Sequence, residues 1–239
     1  MPNTYFQFKQ FIVHHDRCAM KVTTDSCLFG AWVSEEMQSL KVESNVLDIG
    51  CGTGLLSLMV AQKNQCSIDA LEIDGEAAAQ AKENVAASPW QECIHIIHTD
   101  ALQWKAEKKY DVIVSNPPFY EDDLKSIKQN KNIAHHSDGL RLEALLNFIK
   151  ENITEDGIFF LLLPAKRINE LTRLSLKADL HLHKVVSVKQ TTRHHPFRIM
   201  VQGTINKREL INEEISIRNN DQQYTPEFVA LLKDYYLYL

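Results

Sequence analysis

The sequence predicts an α/β fold in which a largely parallel sheet carries helices on both faces, and three observations predict it. Strand-like and helix-like patterns alternate along the chain. Buried strands such as Ile158 to Leu163 are unbroken apolar runs, and a glycine-rich turn follows one strand and opens the next helix. Ligands of such sheets collect at the carboxyl ends of the strands, near the point where strand order reverses.

Taken in order, Val46 to Ile49 is a short buried strand and Leu55 to Gln62 an apolar helix. Ile68 to Ile73 is the next strand, and the alanine-rich helix Glu76 to Ala86 ends before Pro89, which cannot continue it. Ile94 to His98 and Tyr110 to Ser115 supply two more strands. Leu142, Leu145, Leu146 and Ile149 recur at helical spacing within Ser137 to Asn152, with Ser137 or Asp138 as N-cap. After the strand at Ile158, residues 167–177 read as a helix, and Leu182 to Val188 and Phe197 to Ile205 as two closing strands. Thr225-Pro226-Glu227-Phe228 opens a capped helix that runs into Tyr235, Tyr236 and Tyr238, a segment that either docks on the core or offers a substrate surface. No linker, low-complexity tract or repeat divides the chain. It therefore reads as a single domain over residues 1–239, with an N-terminal segment 1–40, a core 41–206 and a C-terminal strand and helix extension 207–239.

At 239 residues and 44% hydrophobic content the chain can bury one full core. No run of about 18 apolar residues marks a membrane span, and the N-terminus lacks the basic and apolar regions of a secretory signal. Cys18, Cys27, Cys51, Cys66 and Cys93 are odd in number and never in a C-x-x-C pair, so they read as reduced cytosolic thiols, and a cytoplasmic location is expected. The histidines fall in adjacent pairs such as His135-His136 and His194-His195, not at metal-ligand spacing, so no metal is expected. A net charge of −5 excludes a general nucleic-acid coat protein. Two local groups run the other way: Lys125, Lys128, Lys131, His135 and His136, and Lys189, Arg193, His194, His195 and Arg198. Either group alone reads equally as a solvated face.

Asp48-Ile49-Gly50-Cys51-Gly52-Thr53-Gly54 is the glycine turn. Gly50, Gly52 and Gly54 let the backbone turn tightly and approach a ligand, and the helix that follows presents unpaired N–H groups. Glu72, at the end of the second strand, can accept from both hydroxyls of a ribose. Asp74 is better placed to cap the next helix. Asp100, in Thr99-Asp100-Ala101 at the end of the third strand, can accept from an adenine amino group. Dinucleotide folds use G-x-G-x-x-G for a pyrophosphate, whereas this turn is G-x-G-x-G preceded by Asp48, and an acid beside it suits a cationic ligand.

Val112-Ile113-Val114-Ser115 ends abruptly in Asn116-Pro117-Pro118-Phe119. The prolines stop the strand, leaving the Asn116 side chain and nearby carbonyls as fixed acceptors beside the flat Phe119 ring. Read alone, the tetrad is also compatible with a plain turn. Beside a site for a cationic ligand it suits a planar substrate carrying an NH2 group. An amine conjugated to a ring is a poor nucleophile. Acceptors on both of its N–H bonds, the Asn116 oxygen and the Pro117 carbonyl, hold it and favour its pyramidal form while Phe119 stacks on the base.

These motifs, in this order, resemble the class I S-adenosylmethionine-dependent methyltransferases over roughly residues 40 to 205. The resemblance implies a Rossmann-like, seven-stranded, mostly parallel sheet with an antiparallel last strand, and S-adenosylmethionine as cofactor. The Asn-Pro-Pro-aromatic tetrad looks like the amino-methylating branch. Phe8 to Trp32, with Cys18-Ala19-Met20-Lys21-Val22-Thr23-Thr24-Asp25 and Leu28-Phe29-Gly30-Ala31-Trp32, is similar to the N-terminal signature of the bacterial tRNA1(Val) adenine-N6 methyltransferases. Ile133 to His136, Leu163-Pro164-Ala165-Lys166-Arg167 and the aromatic C-terminus look like that family too, although it often carries Arg where this chain has His135.

The resemblance implies methylation of an adenine beside the anticodon, with tRNA as partner. It puts Lys21, Thr24 and Asp25 in an N-terminal segment that closes over the cofactor, Asp48, Gly50, Gly52, Gly54, Glu72, Asp100, Ala101 and Asn116 around it, and Asn116 to Phe119 in catalysis. From the residues alone, Thr24 or Asp25 is equally a helix N-cap before Leu28. If the two basic groups and Lys166 overhang the carboxyl edge, they can hold RNA phosphates while one base enters the pocket. The tetrad does not separate adenine from a guanine N2 or a protein glutamine amide, and a non-catalytic binding module is a further alternative. A monomer is favoured, since no heptads or apolar stripe appear.

Overall fold

The computed structural model describes residues 3–40, 43–117 and 142–239. In chain order the elements are β1 (Tyr5–Gln7), β2 (Ile12–His14), α1 (Thr24–Met37), β3 (Ser44–Ile49), α2 (Leu55–Lys63), β4 (Cys66–Glu72), α3 (Gly75–Ala86), β5 (Ile94–His98) and β6 (Tyr110–Ser115). They continue with α4 (Leu142–Asn152), β7 (Ile153–Pro164), α5 (Ile168–Lys177), β8 (His181–Thr191), β9 (Arg198–Thr204), β10 (Ile211–Arg218) and α6 (Pro226–Leu232). The N-cap expected at Ser137 or Asp138 lies outside the described residues.

The main sheet runs β10-β8-β9-β7-β6-β3-β4-β5. The seven strands of the expected core are β3 to β9, and β9 alone runs antiparallel to its neighbours. The C-terminal strand β10 makes an eighth, parallel to β8 at the edge. Strand order reverses at β3, which pairs with both β4 and β6, so the residues after these three strands converge at one point of the carboxyl edge.

The strand expected at Ile158 begins earlier, at Ile153, directly after α4. Its pairing with β6 jumps from Tyr110↔Ile153 to Val112↔Ile158. Polar Thr154, Glu155 and Asp156 fill that irregularity and mask the strand in the sequence.

Both sheet faces are apolar because alternate residues of each buried strand point to opposite sides. Val112 and Val114 join the cluster under α1, α2 and α6, and Ile113 joins the one under α4 and α5. The aromatic C-terminus docks on the core. Tyr235 donates to the Met59 carbonyl at 3.0 Å, and its own carbonyl accepts from Lys9 N–H at 2.8 Å. Tyr236 packs on Phe6 and Phe8, which ties the β1–β2 hairpin to the chain end. All five cysteines are free thiols. Among the described residues, no helix is long and apolar enough to cross a membrane.

Gly203 of β9 lies opposite Phe159 of β7, and a Cβ there would fall 2.2 Å from the Phe159 ring. Gly203→Ala is therefore expected to lower stability by roughly 1–3 kcal/mol through overpacking. A lower urea midpoint with an unchanged slope checks this; an unchanged midpoint would show that the ring swings away freely.

Candidate active site

The glycine turn leaves β3 with Gly50, Gly52 and Gly54 at φ +72°, +54° and +79°. Only glycine adopts three such values within five residues without strain. The Leu71 carbonyl accepts from both Gly50 and Cys51 N–H at 2.9 Å, and Gly54 N–H donates to the Cys51 carbonyl at 2.8 Å. Gly54 caps α2 with no side-chain bond, so the first N–H groups of that helix face outward. A Cβ built on Gly50 or Gly52 meets no atom within 4 Å, so open space flanks the turn.

Glu72 closes β4 and organises this turn. Its Oε2 accepts from Gly52 N–H at 2.7 Å and its Oε1 from Asp74 N–H at 2.9 Å, and each oxygen keeps a further acceptor position. Asp74 caps α3 by accepting from Ala77 N–H at 2.9 Å.

Asp48, expected beside the cofactor, lies inside the sheet and not at its open edge. It lies one residue inside β3, is fully buried, and accepts from the Ser57 hydroxyl at 2.7 Å while Oδ1 has no partner. Burial above all, with the Glu72 charge adding to it and hydrogen bonds from Ser57 opposing it, raises its pKa to about 7. Asp100 sits two residues beyond β5, in a turn, not at the strand end. Its oxygens accept from Leu102 N–H at 2.9 Å and Gln103 Nε2 at 3.1 Å, and Ala101 beside it is half-buried. Sequence reasoning missed Ile73 and Leu102, large apolar side chains 63% and 53% exposed that follow Glu72 and Asp100 in the chain. The available signal was a large apolar residue one position after Glu72 and two after Asp100.

Asn116 follows β6 and is half-buried, and Pro117 is buried. Ser115 pairs with Ile49 across β6 and β3, and its hydroxyl donates to the Ile49 carbonyl at 2.7 Å. Asn116 thus leaves the sheet next to Gly50, at the neighbouring-strand spacing of about 4.8 Å. Pro118, Phe119, Lys125, Lys128, Lys131, His135 and His136 lie outside the described residues.

The N-terminal segment reaches the glycine turn through residues 14–18, which α3 holds. Thr23, not Thr24 or Asp25, caps α1 in a reciprocal pair with Ser26. Asp25 instead pairs with Arg198 Nε at 2.9 Å, so neither of these two expected ligand contacts is an isolated charge. Lys21 and Thr24 are exposed.

Residues 14–18 are the stretch clamped beside the glycine turn, by two buried amides one turn apart on α3. Asn84 donates to the carbonyls of His14 and Thr53 and accepts from His14 N–H, each at 2.9 Å. Gln80 accepts from Arg17 N–H at 3.2 Å and from the Cys18 thiol at 3.3 Å, and donates to Asp16 at 2.7 Å. Burial, with Glu72 and Asp74 nearby, pushes the Cys18 thiol up to about 11. Nothing in the sequence flags Gln80 and Asn84 except their spacing with Ala77 and Ala81. Of the basic residues, Lys166 is exposed after β7 and Arg193 is exposed in the β8–β9 turn. No group of metal-ligating side chains occurs among the described residues.

Residues 31–143 match the family model of the methyltransferase small domain. The chain is 39% identical over 241 residues to the tRNA1(Val) (adenine(37)-N6)-methyltransferase of Bacteroides thetaiotaomicron, covering 100% of both chains. It is 40% identical over 238 residues to the Escherichia coli O157:H7 protein of the same name, covering 98% of this chain and 95% of that one. Among solved structures, a predicted O-methyltransferase from Agrobacterium tumefaciens is similar in fold, with TM-score 0.65 at 13% identity over 88% of this chain and 96% of that one. A glycopeptide N-methyltransferase complexed with S-adenosyl-L-methionine matches with TM-score 0.55 at 11% identity over 74% and 94%.

Two outcomes follow from the geometry. With the folded pKa of Asp48 near 7 against 3.8 for the free side chain, the folded chain holds the extra proton between those values, so this group's contribution to stability falls as pH rises from about 4 to about 7. The stability difference between wild type and Asp48→Asn, read from urea midpoints across that range, is expected to show this slope; a flat difference would place the Asp48 pKa in the ordinary range. Asn84→Ala leaves the buried Thr53 carbonyl without this donor, at roughly 1–3 kcal/mol, and removes the bonds that hold His14. Tryptic cleavage at Arg17 and Lys21 should then accelerate several-fold, and an unchanged rate would show that the clamp does not hold the segment.

Proposed function

This chain belongs to the bacterial tRNA1(Val) (adenine(37)-N6)-methyltransferase family, and from that premise we propose that it methylates the exocyclic N6 amino group of an adenine in tRNA, that beside the anticodon of a valine tRNA. The methyl donor is S-adenosylmethionine. The observation that carries the reading is the placement of Asn116 beside the glycine turn, at the reversal of strand order, with Ser115 bonded to Ile49 between them. Full-length similarity to adenine-N6 enzymes supports adenine over a guanine N2 or a glutamine amide.

The residues present fit the cofactor. Open space flanks Gly50 and Gly52, the α2 N-terminus has no side-chain cap, and the Glu72 oxygens retain acceptor capacity for ribose hydroxyls. Ile73 and Leu102 offer apolar contact to a flat ring whose amino group Asp100 can accept. When bound, S-adenosylmethionine supplies a methyl group made electrophilic by its cationic sulfonium. The chain's part is positioning and charge. The Asn116 oxygen and the Pro117 carbonyl would accept the amine's N–H bonds, holding the nitrogen and favouring its pyramidal, nucleophilic form, with Phe119 as the expected stacking surface for the base. Five free thiols with a tRNA substrate support a cytoplasmic location.

Methyl transfer from labelled S-adenosylmethionine to unmodified tRNA, followed by digestion to nucleosides, should yield labelled N6-methyladenosine. Asn116→Ala should lose turnover by at least about 100-fold while cofactor affinity stays within a few-fold, as expected for a group acting on the reacting amine. Surviving turnover would sink the assignment, and label in another nucleoside would discard adenine.

A further inference from the structure

A cavity of about 290 Å³ opens at the carboxyl edge of the sheet, beyond β7 from the glycine turn, between the first turn of α1 and the ends of β8 and β10. Thr24 and Asp25, which the resemblance places in the segment that closes over the cofactor, line it, but it lies three strands from Asn116. Its volume is near the lower limit of small-ligand pockets, ~300 Å³, which suits one flat ring system better than a whole cofactor.

The walls have the chemistry of a base-binding site. Tyr224 is covered on one face by the Phe228 ring, at 4.7 Å with 16° between planes, and on the other by the Arg218 guanidinium at 4.3 Å. Arg218 ends that stack and lines the cavity. Its side chain donates to the Gln222 carbonyl, which anchors it and leaves further N–H groups and its outer plane for a ligand. Guanidinium planes and aromatic rings are the surfaces on which proteins stack unpaired bases. Phe197 adds a second ring to the wall. Around these, the amide of Gln190 and the carboxylate of Asp25 are able to read a base edge; Asp25 uses Oδ2 for Arg198 and keeps Oδ1.

The basic group that the sequence singles out now has a place. Gln190 and Phe197 line the cavity, and the turn between them carries exposed Arg193, His194 and His195. The end of β8 is three strands from β6, so the cavity lies about 14 Å or more from Asn116 at the usual strand spacing. That is the reach of a few nucleotides in an unstacked loop.

We propose that this cavity is a second base pocket, holding one unpaired nucleotide of the same tRNA loop a few positions from the target, with its base on the Arg218 plane and its phosphate on the turn of Arg193, His194 and His195. The inference rests on the tRNA reading given above. Extruding the target adenine unstacks its neighbours. Capture of one of them sets the register of the loop and so decides which adenine reaches Asn116.

Arg218→Gln is expected to raise KM for unmodified valine tRNA about tenfold, the loss of roughly one base stack. The turnover rate at saturating tRNA and the affinity for S-adenosylmethionine should stay within about twofold. Arg218→Lys should behave like Arg218→Gln, because it keeps the charge and loses the plane. Arg208→Gln, a loss of one charge from an exposed residue before β10 at the opposite edge, should leave KM unchanged. An unaltered KM in Arg218→Gln, or wild-type behaviour of Arg218→Lys, overturns the pocket. A second measurement needs no turnover. In tRNA carrying 4-thiouridine in the anticodon loop, photocrosslinks should map to peptides containing Phe197 or Tyr224, and crosslinks confined to other peptides overturn the proposal. Wild-type protein that forms no N6-methyladenosine yet gives those crosslinks would refute the methylation reading and keep the pocket.

Discussion

The carboxylate of Glu72 is the constraint on which the site depends. By accepting Gly52 N–H and Asp74 N–H with its two oxygens, it joins the glycine turn after β3 to the start of α3 after β4. A turn with three residues at positive φ has no regular ladder to define it, and without such a bond its backbone would sample other shapes. The same charge reaches beyond its bonds. Burial first and Glu72 among the next causes raise the pKa of Asp48 and of the Cys18 and Cys51 thiols. The floor of the turn is therefore poor in positive charge and lined with groups that ionise reluctantly. A cationic sulfonium relieves that condition where a diphosphate would worsen it.

Sheet order then distributes labour along one edge. Reversal at β3 gathers the turn, Glu72 and Asn116 within two strand spacings, while the strands beyond β7 lead to the second cavity. α1 links the two regions. Its first turn lines the cavity and its body packs on α2, the helix that the glycine turn opens. The Asp25–Arg198 pair fixes that first turn to the start of β9. It is partly exposed, with side chains 14% and 33% accessible, so its value lies in geometry and not in a large stabilisation. On the other side, Asn84 bonds both the N-terminal segment and the Thr53 carbonyl, so the segment and the turn share one rigid support.

Much of this was legible in the chain. Alternating strand and helix patterns, the unbroken apolar strands and the abrupt stop at Pro117 are consequences of local sterics and of which faces must be buried, and the observed elements follow them. The misplacements share a cause. Thr23 and not Thr24 caps α1, because two adjacent threonines are equivalent to any local rule and only the position of Ser26 relative to the backbone selects one. Asp48, beside the glycine turn in the sequence, is fully buried, where the Ser57 hydroxyl of α2 takes its carboxylate.

The sequence by itself determined the class of sheet, the positions where glycine is obligatory, the strand end that offers acceptors, and the family. Each of these is written in residues close together along the chain. Only the tertiary structure decided that Glu72 braces Gly52, that Arg198 belongs to Asp25, that Gln80 and Asn84 hold the N-terminal segment, and that β10 and Tyr224 close a second cavity. A polar side chain has several partners within reach of its rotamers. Which one it takes depends on what the folded chain brings near from 20 to more than 170 residues away.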